Sequence, residues 1–469
     1  MKKTKIVSTI GPASDSKEKL QELVDSGVNV MRQNFSHVDH EAHEELYNRI
    51  REVAPDTAVM LDTKGPEIRL GEVKEGTELE KGETVELTVE DIEGDSERLP
   101  VQYEDFLDNI EDGDEVRIDD GKIELEVMGV WSDSAECRVI FGGPVSTRRA
   151  VNVPGEDIGL RAPTEKDRKD IEFGAEKGFD FISLSFVKYA EDVEKVREIL
   201  EEHGSEADII SKIEHRKAVE NFDEILEASD AIMVARGDLG VEMPPAQLPG
   251  LQKEMIEKAN KAGKPVITAT QMLESMTENS TATRAEISDV ANAVLDGSDA
   301  VMLSGETAIG EYPVTAVRLM SRIVEEAEEE IEEEVHHTVK TRPESTSEII
   351  CKSVWQASND GDSELIVAHT SSGSTARNIS KHRPETDLVA FTDSEIVKRQ
   401  LNLAWGVESY YQEFHETVDQ MITDTGNRIS ELDLAEDEDE LILTAGIPVS
   451  TTGTTNIMQI RELGDIRED

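Results

Sequence analysis

Cysteine is nearly absent: the 469 residues hold two, Cys137 and Cys351. Two thiols cannot make a disulfide framework, and alone they cannot complete a structural zinc site. They read as free thiols in a reducing cytosol. Aromatic residues are also sparse, at 4 %, while 13 Met and a 37 % hydrophobic share point to aliphatic cores. No apolar stretch reaches the ~18 residues that suggest a membrane-spanning helix. The start, MKKTKIVSTIGPASDS, lacks the apolar centre of a signal peptide. A soluble, cytoplasmic protein without a membrane partner is therefore expected. Positive charge is short relative to negative: 48 Lys and Arg stand against 103 Asp and Glu, a net charge of −55. A surface of that sign repels nucleic acid and anionic membrane. The acids are spread along the chain, as on a solvated surface. Their self-repulsion strains a compact fold. Salt relieves it, since the Debye length falls to roughly 3 Å at 1 M. The expectation is a protein adapted to the salt-rich cytoplasm of a halophile.

A chain this long exceeds one ordinary core. Short apolar runs alternate with helix-length amphipathic stretches from residue 4 to 62, and again from about 164 to 334. Eight runs read as strands: KIVSTI, VNVMRQN, AVMLD, FDFISLSF, ADIISKI, DAIMVA, PVITAT and DAVMLS. Such continuous runs suit strands buried on both faces of a parallel sheet. With a helix after each, they predict a (β/α)₈ TIM barrel. The third run is parted from its helix, at about 164–177, by an insertion. There, alternating runs such as GKIELEVMGV and closely spaced turn signals predict a small all-β barrel or sandwich, placed as a lid. From about 345, SEIICKSVWQAS, ELIVAHT, TARNISKHR, DLVAFT and DELILTAG predict an α/β open-sheet domain. The expected division is 1–65 and 162–338 for the barrel, 66–161 for the lid, and 339–469 for the last domain. The acidic run EEAEEEIEEEVHH reads as a solvated helix end and linker.

Barrel enzymes carry their functional side chains at the C-terminal ends of the strands. Here these ends read MRQNFSH, LDTKGPEIR, SKIEH, VARGDLG, TATQMLESM and LSGETA. Strand alternation puts Lys212 and Glu214 on one face. Alone they read equally as a salt bridge. Asp238 at the next strand end adds a second carboxylate, and such a pair suits Mg²⁺. Arg236 to Gly240 reads as a turn into a helix, whose amides can hold a carboxylate. Arg32 and Arg69 follow strands two and three and suit phosphate, or plain solvation. Asn34, Ser36, Asp62 and Thr63 offer oxygens with one formal charge, a set for a monovalent cation or for turns and caps. Thr270, Ser304 and Glu306 fit either a site or a helix cap. Thr370, Ser371, Ser372, Gly373, Ser374 and Thr375 lie between a strand and a helix, where they cap it or cradle a phosphate. Together the parts suggest phosphoryl transfer by positioning and charge stabilisation.

In order along the chain, IVSTIGPAS, RQNFSH, LDTKGPEIR, SFV, KIE, MVARGDLG, ATQMLESM, TRAEISDVANAVLDG and LSGETA resemble the motifs of pyruvate kinases. VNVPG and GTTN are similar to that family too. The resemblance spans nearly the whole chain. It implies the last step of glycolysis, phosphoenolpyruvate and ADP giving pyruvate and ATP. It implies Mg²⁺ or Mn²⁺ on Glu214 and Asp238, and K⁺ on Asn34, Ser36, Asp62 and Thr63. Lys212 matches the lysine that stabilises the transferring group, and Arg32 and Arg69 match phosphate-contacting arginines. The Gly237 and Asp238 amides match the holder of the substrate carboxylate. Thr270 matches the threonine tied to protonation of enolpyruvate. Pro12, Asn34, His37, Arg69 and Arg149 fall at nucleotide positions, and a homotetramer is implied. Glu67 in GPEIR matches the K⁺-dependent members.

Three departures stand out. STRRAVN replaces a pair of lysines, with Arg149 taking the nucleotide contact. ENSTA replaces a Pro-Arg-Pro run before TRAE. TSSGST lacks a basic residue, which argues against fructose 1,6-bisphosphate and leaves another phosphorylated allosteric effector, or none. Two rival readings are a Mg²⁺-dependent barrel aldolase or lyase, and a non-catalytic effector-binding protein. The lid, the monovalent set and Lys212 disfavour the first. The presence of Lys212, Glu214 and Asp238 disfavours the second.

Overall fold

The computed structural model describes residues 2–334, 343, 345–413, 417–447 and 455–467. The expected boundary at 338/339 falls outside the described residues, as do the end of the acidic run (335–337) and the first two residues of GTTN.

All eight expected barrel strands form: Lys5–Thr9, Val30–Asn34, Ala58–Asp62, Phe181–Leu184, Asp208–Ile213, Ala231–Ala235, Val266–Ala269 and Ala300–Leu303. They are parallel and close into a ring in chain order, the first pairing the eighth through Lys5 and Ala300. Alternation sorts the side chains into two layers. Val7, Met60, Phe181, Ile210, Met233 and Met302 fill the ring, where Leu403 of the last domain joins them. Ile6, Met31, Leu61, Ile182, Ile209 and Val234 face outward against the helices. Burying each such aliphatic side chain contributes roughly 1.5–3 kcal/mol. The helix after the third strand, Glu165–Lys177, starts on a capping box of Thr164 and Asp167. Asp167 Oδ1 also accepts from the Gly65 amide at 3.0 Å, which ties the helix to the chain entering the insertion.

The insertion folds as a curled seven-stranded mixed sheet running from Ile68–Arg69 to Ala150–Asn152, plus a two-stranded ribbon. Its own core holds Leu87, Leu99, Phe106, Val116, Leu125 and Val139. The last domain is a five-stranded sheet around Leu365–His369, with Asp387–Thr392 on one side and Glu440–Gly446 on the other. Two further strands, Val407–Tyr411 and Thr455–Glu462, complete its edges. Both cysteines are buried thiols, and burial pushes each up to about 12. Among the described residues no helix is long and apolar enough to cross a membrane.

Candidate active site

Strands two, three, four and five end side by side, and their last residues meet around one carboxylate. Asp62 Oδ2 accepts from Arg32 Nε at 2.5 Å, and Asp62 Oδ1 accepts from Lys212 Nζ at 3.1 Å. Arg32 Nη1 also donates to Thr9 Oγ1 at 2.8 Å. Lys212 Nζ lies 2.9 Å from Glu214 Oε1 and donates to Ser185 Oγ at 2.7 Å. Glu214 Oε2 accepts from the Phe186 amide at 2.7 Å. All of these side chains are buried. Burial alone would raise Asp62, but Arg32 and Lys212 outweigh it and hold the carboxyl below its ordinary value. Burial likewise draws the Lys212 ammonium down, yet Asp62 and Glu214 outweigh it and keep the lysine charged.

Glu214 and Asp238 behave differently. Burial pushes Glu214 up to about 7, with Lys212 opposing and Asp238 adding to the rise. Asp238, from the adjacent strand end, is raised by burial, with Lys212 opposing and Asp120 adding to the rise. A buried carboxylate and a half-buried one beside it, both held above their ordinary values, mark a site short of positive charge. That donor set fits a divalent cation taking two carboxylates and completing its shell with substrate and water. Among the described residues no group of three or more His, Cys, Asp and Glu forms a fuller cage.

Arg236–Glu242 is not a turn leading to a helix but the helix itself, starting directly at the strand end. Arg236 donates to the Thr270 carbonyl at 2.7 Å and pairs with Asp289 Oδ2 at 2.7 Å. Thr270 sits at φ +66°, a strained conformation for a β-branched residue. Its Oγ1 donates to the Ala269 carbonyl at 2.6 Å and accepts from the Gly237 amide at 2.7 Å. Thr270 is thus placed over the amide expected to hold a carboxylate. Asn34 pairs with Asp62 across strands two and three, and its Oδ1 accepts from the Ser36 amide at 3.0 Å. Thr63 is buried, and its amide donates to the Ser183 carbonyl at 3.0 Å.

Other expected residues lie apart. Arg69 is held by Glu67 Oε2, with Nη2 at 2.6 Å, and by the Arg148 carbonyl at 2.7 Å. Arg149 on the lid pairs with Asp119 at 3.0 Å. Pro12, Ser36 and His37 are exposed. Among the described residues no hydrogen bond joins Pro12, His37, Arg69 or Arg149 to the lysine cluster. Glu306 caps instead: its carboxylate accepts from the Ser304 and Leu273 amides. In the last domain, Gly373 at φ +78° starts the helix Ser374–Ser380, and Ser372 Oγ donates to Ser374 Oγ at 3.1 Å. Thr375 Oγ1 lies 2.6 Å from Thr455 Oγ1. The contact of Ser185 with Lys212 was not foreseen. In the sequence Ser185 opens the motif SFV, a hydroxyl directly after an apolar run, and its role depends on strands three and five flanking its own.

A closed barrel with a β lid, and with cations and carboxylates packed at the strand ends, defines a barrel phosphotransferase. The family description "Pyruvate kinase, barrel domain" matches residues 1–317, and "Pyruvate kinase, alpha/beta domain" matches 348–461. Pyruvate kinases of Staphylococcus aureus and Staphylococcus epidermidis are each 45 % identical over 474 aligned positions, covering 99 % of this chain and 81 % of theirs. A crystal structure of a pyruvate kinase from Cryptosporidium parvum superposes with a TM-score of 0.91 at 40 % identity, over 98 % of this chain and 96 % of that one. The chain belongs to the pyruvate kinase family.

Proposed function

We propose that the protein moves the phosphoryl group of phosphoenolpyruvate to ADP, giving pyruvate and ATP. The observation that carries this reading is the buried Lys212 ammonium, kept charged by Asp62 and Glu214 at the mouth of the barrel. Arg32 and Lys212 flank the transferring group from two strands and neutralise its oxygens. The bond from phosphorus to the enol oxygen breaks as the bond to the terminal ADP oxygen forms. The enolate is then protonated on carbon, with Thr270 placed to bind and orient that face. Gly237 and Asp238 amides orient the substrate carboxylate once Thr270 Oγ1 yields the Gly237 N–H. Glu214 and Asp238 would hold Mg²⁺ or Mn²⁺, which would supply positive charge at the transferring oxygens. Asn34, Ser36, Asp62 and Thr63 would form the seat for K⁺, and Glu67 favours K⁺ dependence. Pro12, Asn34, His37, Arg69 and Arg149 contact the nucleotide, the last from the lid. The lid excludes water from the reacting group.

Further parts of the proposal concern setting and control. The charge of −55 supports work in a salt-rich cytoplasm, as in a halophile. The loop Thr370 to Thr375 supports a phosphorylated effector, and the assembly is a homotetramer. The division at 1–65, 66–161, 162–338 and 339–469 separates barrel, lid and effector domain. The test is a coupled assay of pyruvate formation at high salt, with and without Mg²⁺, and with Na⁺ replacing K⁺. Activity needing both cations supports the phosphoryl transfer and the two cation sites. Activity indifferent to K⁺ removes the monovalent seat. A folded protein that forms no pyruvate overturns the function.

A further inference from the structure

The Lys212 ammonium has three N–H bonds, and the protein engages all three: Asp62 Oδ1 at 3.1 Å, Glu214 Oε1 at 2.9 Å and Ser185 Oγ at 2.7 Å. The shortest contact is the one with the neutral serine. Proton directions follow from chemistry. An ammonium only donates, so Ser185 Oγ accepts from Lys212. The single hydroxyl proton has two acceptors in reach, the Thr63 carbonyl at 2.6 Å and Asp62 Oδ1 at 3.3 Å, and the much shorter contact takes it to Thr63. The relay therefore runs from Lys212 N–H to Ser185 O–H to Thr63 C=O. Ser185 is pinned from its backbone as well, since its amide donates to Thr63 Oγ1 at 3.0 Å. The residue is 1 % exposed. Its neighbour Phe186 sits at φ +54°, so the chain turns sharply directly after the hydroxyl.

We infer that Ser185 is a positioning residue that fixes the Lys212 ammonium where the transferring phosphoryl group must meet it. The inference rests on the proposed phosphoryl transfer. The two anionic partners attract the ammonium but do not fix its place, because charge attraction is weakly directional. The serine hydroxyl supplies the directional contact, and Thr63 on the neighbouring strand end holds Ser185 by two bonds, one from its hydroxyl and one from its amide. Binding of either substrate does not need Ser185, which presents no free polar group. Removal of the hydroxyl lets the long lysine side chain swing between Asp62 and Glu214. A misplacement of about 1 Å can cost ~10²-fold in rate.

Ser185→Ala and Ser185→Thr, assayed for pyruvate formation at saturating Mg²⁺ and K⁺, test this. Ser185→Ala is expected to lower kcat about 10- to 100-fold, with KM for both substrates within about twofold of wild type. Ser185→Thr, which keeps the hydroxyl, is expected to recover most of the rate. In a crystal structure of Ser185→Ala, the Lys212 Nζ is expected to leave its present position. Unchanged kcat, or a change confined to KM, overturns the inference. So does a rate loss that tracks a lower melting temperature and is not recovered by threonine, or an Nζ that has not moved. A wild-type protein without pyruvate-forming activity refutes the parent reading and this one together. An active wild type matched by Ser185→Ala refutes this one alone.

Discussion

Arg377 and Asp208 join the last domain to the base of the barrel, with Arg377 Nη2 at 2.5 Å from Asp208 Oδ2. Asp208 opens the fifth barrel strand, the one that carries Lys212 near its other end. Arg377 lies on the helix that follows the hydroxyl-rich loop. The contact belongs to a pattern. Asp180 meets Arg399 at 2.7 Å, Asp299 meets Arg383 at 3.1 Å, and Asp56 meets Lys398 at 2.6 Å. Each aspartate sits at or just before the N-terminal end of a barrel strand. In a chain so short of cations, four are spent on one internal seam.

Arg377→Ala leaves Asp208 largely covered and without its nearest cation. Losing a hydrogen bond to a charged group there costs roughly 1.5–3 kcal/mol. Denaturant titration is expected to show the last domain unfolding at a lower midpoint. Asp208→Asn in the same chain is expected to return much of the loss. If the double variant falls by the sum of the two single losses, the pair has no interaction energy.

Glu242 gives a pH prediction. Burial pushes it up to about 7 from an ordinary 4.5, with the Gly155 amide, Asn152, Lys188 and Arg117 opposing. Its partners Asn152 and Gly155 belong to the segment returning from the lid. His215, 3.4 Å away, is held down near 4, first by burial and then by Lys188, so it brings no charge at neutral pH. The folded state therefore binds a proton more tightly than the unfolded chain. The resulting stability is full below about 4.5 and is lost as pH rises through about 7. The melting temperature of wild type is expected to fall from pH 5 to 8 more than that of Glu242→Gln. Parallel curves for the two would show that Glu242 does not titrate in this window.

Lys212→Met removes the charge that faces the transferring group. Pyruvate formation is expected to drop by about 10³-fold, the scale for losing a preorganised electrostatic partner. Exchange of the pyruvate methyl protons with solvent involves no phosphoryl group and is expected to survive in part. Equal loss of both activities would put the lysine in proton transfer as well and refute the division of roles.

The barrel was legible because its strands are buried on both faces, which leaves unbroken apolar runs such as AVML. Boundaries were less so. FDFISLSF reads as one strand, yet the strand stops at Leu184, and the turn at Phe186 aims Ser185 at Lys212. Val407–Tyr411 and Thr455–Glu462 escaped notice because edge strands tolerate polar residues and carry weak patterns. Arg236 to Gly240 reads as a turn into a helix because two of its five residues are glycine, yet packing at the strand end overrides that propensity and the helix Arg236–Glu242 starts there directly. Lys212, Glu214 and Asp238 were found from spacing on neighbouring strand ends. Asp62 as the shared partner of Arg32 and Lys212 was not, since that contact joins positions 150 residues apart in sequence.

The net charge of −55 makes the last prediction. In dilute buffer the Debye length is about 30 Å at 0.01 M, so acids across much of the surface repel one another. At 1 M it is about 3 Å, and only near neighbours still interact. The pairs of Asp208, Asp180 and Asp299 at the barrel base are largely buried and screened much less than exposed charges. Salt is thus expected to relieve the repulsion while sparing the seam. The melting temperature is expected to climb as KCl is raised from about 0.1 M to above 1 M, with NaCl acting alike and sucrose failing to replace either. A rise with sucrose equal to that with salt would point to exclusion from the surface rather than screening. A melting temperature indifferent to salt would sink the idea that the acid excess is an adaptation to a salt-rich interior.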